Sequence, residues 1–298
     1  VRKVSLVELG THVDVAFAVG GCRTSEQTLI RQLWDRIPAD ALLIRDRGFF
    51  SYEDWKTLDS RGIKLLSRVS RDRQLEPFER LSDGSFLALL SPPSRARAKD
   101  DESLVVRVIR YTIDDPQRTG HQEQHCLVTN LFDADGFPWL ELVLEYHERW
   151  EEELMNDEQK THQDPRRAEK PAQMRSETPE GVRQELSALS LGHFVIRALM
   201  FEAAREEGLD VDRLSFTGCF RILQCRLPEC TARPRSTFLC WLKLLLGEMR
   251  EERHPPRRNR INPRVIKRKV SKWPRKRPLH GGLPPLRKTF VESVLQTN

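Results

Sequence analysis

The stretch "ALLIRDRGFFSYEDWKTLDSRGIKLLSRV", Ala41 to Val69, decides the fold class. "ALLIRD" is a compact apolar run ending in a charge, which predicts a buried strand with Asp46 at its carboxyl end. "SYEDWKTLDSRG" predicts a short capped helix closed by Gly62, and "IKLLSRV" a second strand. Upstream, "KVSLVEL" (Lys3 to Leu9) and "VDVAFAV" (Val13 to Val19) are β-prone runs separated by "GTH", a hairpin pattern. "TSEQTLIRQLWDRIP" follows, with Thr24 or Ser25 as cap, Leu29, Leu33 and Ile37 four apart, and Pro38 as stop: an amphipathic helix. The order β-β-α-β-α-β implies a mixed α/β sheet with helices packed on it.

From about Ser70 to Gly136 the texture changes to short alternating runs ("FLALL", "LVVRVIRYTI", "HCLVTNL") among turn-rich pieces, which predicts a β-rich insertion. Helical patterns then run from Pro138 to about His162, from Pro179 to about Glu207, and near Ser236 to Arg250. The final "PPLRKTFVESVLQTN" is expected to trail on the surface. The expected organisation is therefore 1–70 and 137–207 as core, 71–136 as insertion, and 208–298 as a helical and basic C-terminal region.

With 38% hydrophobic and 32% charged residues among 298, the composition fits a soluble intracellular protein. The longest apolar runs, such as "FLCWLKLLL", are too short to span a bilayer and read as a buried helix face. The start "VRKVSLVELG" lacks a signal-peptide pattern and begins at Val1, so it reads as a chain already under way. Six cysteines without a C-x-x-C pair predict reduced, mostly buried thiols. The net charge of +6 is uneven: twelve Lys or Arg and no acid lie between Arg253 and Arg277, which leaves −6 on the remainder. That segment is either a polyanion-binding footprint or a solvated tail, and charge alone does not choose.

"EYHERWEEELMNDEQKTHQ", Glu145 to Gln163, supports a helix through Leu144, Trp150 and Leu154. At about 100° per residue, Tyr146, Arg149, Glu153 and Lys160 fall at about 0°, 300°, 340° and 320°, one polar face. A salt-bridged surface helix would account for the same pattern. Asp46 tips the balance, because ligands of open α/β sheets gather at the carboxyl ends of strands.

"RDRGFFSYEDW" (Arg45 to Trp55) and "LVTNLFDADGFP…YHERWEEELMNDEQKTHQ" resemble bacterial insertion-sequence transposases of the DDE class, in the subgroup with the signature Tyr-x2-Arg-x3-Glu-x6-Lys. Tyr146, Arg149, Glu153 and Lys160 fit that signature at every position. "SETPEGVRQELSALSLGH" and "RRNRINPRVIKRKVSKWPRKR" resemble the segments that follow in the subgroup, so the likeness covers nearly the whole chain. The resemblance implies a ribonuclease-H-like fold with the insertion between the second acidic strand and the glutamate helix. It implies that Asp46 and Glu153 are catalytic residues and metal ligands, for a two-metal site of Mg²⁺ (or Mn²⁺). It also implies that Tyr146, Arg149 and Lys160 contact DNA phosphates, Arg149 bidentately and Lys160 as a point charge. Arg257, Arg258, Lys267, Arg268 and Lys269 of the basic segment are further DNA-binding candidates. The implied partners are transposon ends and target DNA, with a homodimer acting in the bacterial cytoplasm near the nucleoid and no membrane.

The likeness also sets an expectation of incompleteness. The family's first aspartate lies on a first core strand that precedes the hairpin, and no residue here takes its place; Asp14 would sit on the wrong strand. The expected activity is cut-and-paste phosphodiester chemistry, inactive as the chain stands. The alternative is a non-catalytic DNA-binding remnant. Glu152 and Asn156, where the family has apolar residues, and the run Glu151 to Glu153 fit a decayed copy. "HQEQH" (His121 to His125) lacks metal-site spacing, and solvent exposure is the expectation; Trp34, Trp139, Trp150 and Trp241 read as core.

Overall fold

The computed structural model describes residues 1–92, 103–115, 121–163, 174–232, 234–254 and 288–297. The chain divides into two compact units, one of residues 1–36 with 148–256, the other of residues 37–147 with 257–298.

In the first unit, β1 (Arg2–Glu8) and β2 (Val13–Gly20) form the expected hairpin, antiparallel, with a bulge at Leu6/Val7. His12 at its tip lies in the left-handed region at φ 58°. The helix α1 (Glu26–Arg31) is capped by Ser25, whose side chain accepts from the Thr28 amide, but it is shorter than the Leu29, Leu33, Ile37 spacing predicts. A 3-10 turn at Trp34–Arg36 takes over. Leu29 and Leu33 are buried, so the apolar spacing is used without a continuous helix.

α4 (Trp150–Asp157) runs into a π-helical turn (Glu158–His162), and α5 (Pro179–Arg205), α6 (Phe216–Ala232) and α7 (Phe238–Glu251) follow. α5 opens as the sequence dictates, with Thr178 accepting from the Gly181 amide and Pro179 in the first turn. Ile196, Met200, Ala203, Cys219, Trp241, Leu245 and Met249 from α5, α6 and α7 form one core. By length and composition α5 could cross a membrane. Its inward face nevertheless carries Arg197, ion-paired with Glu158, and His193, hydrogen-bonded to the same carboxylate, as expected of a helix in a protein core.

The second unit is a seven-stranded mixed sheet in the order β3-β4-β8-β7-β6-β5, with β9 also on β7. β3 (Leu42–Arg45) pairs in parallel with β4 (Lys64–Val69) across α2 (Tyr52–Ser60), the strand-helix-strand unit read from Ala41 to Val69. Ser51 caps α2, and Gly62 at φ +75° provides the left-handed turn that closes it. The β-rich stretch supplies β5 (Pro77–Arg80), β6 (Phe86–Leu90), β7 (Leu104–Ile113) and β8 (His125–Thr129), and β8 pairs antiparallel with β4. The insertion strands therefore extend the same sheet. α3 (Trp139–Glu148) covers it, and Leu142, Val143 and Tyr146 pack with Leu66, Ile109 and Leu127.

The last residues do not trail on the surface. α8 (Phe290–Ser293), closed by a capping box of Thr289 and Glu292, leads into β9 (Val294–Gln296), antiparallel to β7 at Tyr111 to Ile113. Backbone pairing with β7 and the burial of Val294 outweigh the weak local signal of so short a strand.

One buried cation organises this unit. Arg107, in the middle of β7, is fully buried. It donates to Ser85 Oγ (2.8 Å), to the carbonyls of Leu131 (3.1 Å), Asp133 (3.3 Å) and Phe137 (2.8 Å), and to Asp83 Oδ2 (2.5 Å). The same Asp83 oxygen accepts from the Trp139 amide at 2.8 Å, so a residue of the β5–β6 turn caps α3. Burial pushes the Asp83 carboxyl up, but the Ser85 donors, the Arg107 charge and the Trp139 amide together hold it below the usual range.

Candidate active site

Asp46 stands where the sequence places it, immediately after β3. It caps the 3-10 turn Arg47–Phe49: its Oδ1 accepts from the Arg47 amide at 2.7 Å and its carbonyl from the Phe49 amide at 2.9 Å. The same Oδ1 accepts from the Tyr146 hydroxyl at 3.1 Å. Tyr146 is buried in the core over the sheet, so its ring is fixed by packing and its hydroxyl orients the carboxylate. Strand alternation sends the preceding residue elsewhere: Arg45 lies over the Trp55 ring and donates to Ser67 Oγ at 3.1 Å. Burial lowers its guanidinium to about 10, against the opposing charge of Asp54.

In the other unit the glutamate helix is in pieces. A continuous helix from Pro138 to about His162 is not what forms: α3 ends at Glu148, α4 starts at Trp150, and the π turn begins at Glu158. The single polar face calculated for one straight helix therefore does not describe the whole run. Within α4 and the π turn, Glu153 and Lys160 are exposed and Arg149 is half-buried. Met155, Glu158 and Gln159 point inward.

The inward side holds a cluster that the charge-rich sequence conceals. Glu158 accepts from His193 Nε2 at 2.8 Å, from Arg197 Nε at 3.0 Å, and from Arg197 Nη2. Arg197 Nη2 also lies 2.5 Å from His12 Nδ1, and His12 Nε2 faces Asp212 Oδ1 at 3.2 Å. Next to it, Lys3 Nζ reaches Asp14 (2.5 Å), Gln159 Oε1 (2.9 Å) and Ser190 Oγ (3.0 Å). Asp14 is thus committed to a buried ion pair. The Glu158 partners His193 and Arg197 are an i,i+4 pair inside "GHFVIRALM", a polar pair in an apolar helix face, which is the signal that marks this cluster in the sequence.

Burial raises the Glu158 carboxyl, but the His193 hydrogen bond and the charge and hydrogen bonds of Arg197 prevail and hold it low. Burial, reinforced by Arg197, also lowers the His12 imidazole. Both groups bind fewer protons folded than unfolded, so stability is full above the unfolded values and is lost as pH falls through the folded ones. The first unit is expected to weaken below 6.5 through His12 and again below 4.5 through Glu158. Thermal unfolding across a pH series reads this directly, and a flat profile between pH 7 and 4 would contradict it.

The structure brings Asp46 and Tyr146 together in one unit, and places Arg149, Glu153 and Lys160 on one helical run of the other. Arg257, Arg258, Lys267, Arg268 and Lys269 lie outside the described residues. Among the described residues no group of three or more His, Cys, Asp or Glu is placed to hold a metal ion. Asp46 and Glu153 each have the hard oxygen chemistry that a two-metal site requires.

Other expectations are corrected. His125 is buried on β8 and stacked on Tyr111 at 4.9 Å, because its strand position faces the sheet core. All six cysteines are free, but Cys22, Cys225 and Cys240 are exposed and only Cys126 and Cys219 are buried. Trp241 is core, Trp34 and Trp139 are half-buried, the Trp150 side chain lies outside what is described, and among the described residues Trp55 on α2 is fully buried. α6 carries Pro228 near its end, which interrupts the helical pattern of its sequence.

Comparison with known proteins bears on this arrangement. Residues 1–177 match the model of the transposase DDE domain family. The chain is also 28% identical over 283 residues to Transposase InsG for insertion sequence element IS4 of Escherichia coli (strain K12), an alignment covering 92% of this chain. The chain spans 61% of the length of that relative. With more than half of its residues matched, and with a mixed sheet followed by a helical C-terminal part, the chain belongs to the transposase DDE domain family.

Proposed function

We propose that this chain is a catalytic region of a DNA transposase of the Tyr-Arg-Glu-Lys subgroup, built for phosphodiester hydrolysis and strand transfer in cut-and-paste transposition. The observation that carries the reading is Asp46 at the carboxyl end of β3, held by the Tyr146 hydroxyl at 3.1 Å, within a chain of this family. Members of the family generally use divalent metal ions; for this chain we assign Mg²⁺ or Mn²⁺, with Asp46 and Glu153 as two of the ligands. A two-metal site takes further oxygen ligands beside these two. Arg149 and Lys160 bind and orient the DNA backbone, and Tyr146 sets the direction of the Asp46 carboxylate. Transposon ends and target DNA are the partners, the acting form is a homodimer, and the setting is the bacterial cytoplasm at the nucleoid, away from membranes.

The second reading, a non-catalytic DNA-binding remnant, rests on the basic run from Arg253 to Arg277. Both readings expect duplex binding whose logarithm falls linearly with the logarithm of salt. Replacing Arg257, Arg258, Lys267, Arg268 and Lys269 together with alanine is expected to lower that slope by about 4 to 5, if each touches a phosphate. A fluorescence-anisotropy titration at several salt concentrations measures it. An unchanged slope would remove the basic segment from the interface.

A further inference from the structure

We infer that Glu158, clamped by Arg197 and His193, is a positioning residue that fixes the π turn and so aims Lys160 relative to Glu153. The inference rests on the reading of Lys160 as a phosphate contact. Glu158 follows Glu153 by five residues and precedes Lys160 by two. The turn between them is π-helical, and the Gln163 amide bonds the Glu158 carbonyl at 2.8 Å. Such i→i+5 turns are rare beside the α-helix, and this one is held by contacts outside the turn.

Two consecutive residues supply those contacts. Glu158 points to His193 and Arg197, and Gln159 to Lys3, each less than a tenth exposed. Lys3 in turn reaches Ser190, and Gln163 Nε2 donates to the Leu189 carbonyl at 2.9 Å. The turn is thus fastened to α5 at several points from Leu189 to Arg197. Lys160, between these anchors in sequence, remains exposed.

An apolar side chain would fill the position of Glu158 with less desolvation, since a buried ion pair is a weak source of stability. What charge adds is register. A slip of one residue would face Arg197 with Gln159 and leave both a guanidinium and a carboxylate buried without their partners. His12, held at φ 58° beside Arg197 at the hairpin tip, ties β1 and β2 into the same constraint.

The test compares the full chain with Glu158→Gln, Lys160→Ala and the double variant. One readout is the salt slope of duplex DNA binding; the other is hydrogen exchange of the amides from Thr161 to Gln163. Lys160→Ala is expected to lower the slope by about 1 in the parent and to change it no further in the Glu158→Gln background. The Glu158→Gln variant is expected to exchange those amides at least about tenfold faster while the helices α5 to α7 stay protected. Equal slope changes in both backgrounds, or unaltered exchange, overturn the inference. A Lys160→Ala slope identical to the parent overturns the phosphate-contact reading instead, and the exchange result then decides the positioning of the turn by itself. If Glu158→Gln lacks a cooperative transition, Arg197→Lys, which keeps the charge and loses the forked geometry, takes its place with the same expectations.

Discussion

Arg107→Ala is expected to destabilise the protein by about 3–5 kcal/mol, the range for breaking a buried ion pair from one side. The substitution leaves Asp83 without its cation and strips donors from the carbonyls of Leu131, Asp133 and Phe137. It also empties the volume of a side chain that is fully buried. The effect extends beyond stability. Asp83 caps α3 through the Trp139 amide, and α3 carries Tyr146, whose hydroxyl holds Asp46. Loosening the loop from Leu131 to Phe137 therefore reaches the proposed catalytic carboxylate through one helix. Asp83→Asn, which keeps the shape and an acceptor, is expected to cost less, about 1–3 kcal/mol. Urea unfolding of the full chain, with hydrogen exchange along β7 to assign the change to this unit, measures both. A loss below about 1 kcal/mol for Arg107→Ala would contradict the role given to this hub.

What could be read from the sequence followed from local chemistry. Ala41 to Val69 yields its strand, cap, helix, glycine stop and second strand because each signal is contained within a few residues. The hairpin and α5 are legible for the same reason. What escaped depends on partners distant in sequence. β9 has three residues and exists because β7 offers it a ladder. Arg107 sits in the run "LVVRVIRYTI", where alternation marks a strand but does not reveal a buried cation with five acceptors.

The placement of the candidate residues was legible in part. Asp46 follows from strand logic, whereas its bond to Tyr146 joins residues a hundred positions apart. In "EYHERWEEELMNDEQKTHQ" the acids look alike, yet Glu153 is exposed and Glu158 is buried on Arg197 and His193. A uniform helical wheel cannot separate them, because the π turn changes the phase at the point where the two roles diverge.

The central proposal is that Asp46 and Glu153 are carboxylates of a transposase active site. Its most direct measurement is nicking of a supercoiled plasmid carrying cognate ends, in Mn²⁺ or Mg²⁺, by a transposase that contains this chain. The parent is expected to nick the plasmid, and Asp46→Asn or Glu153→Gln to reduce the rate by about 10²–10³-fold or more, the scale of losing one group that stabilises transition-state charge. Nicking that persists in both variants while the parent nicks, or no nicking by a folded, DNA-bound parent, would contradict the assignment.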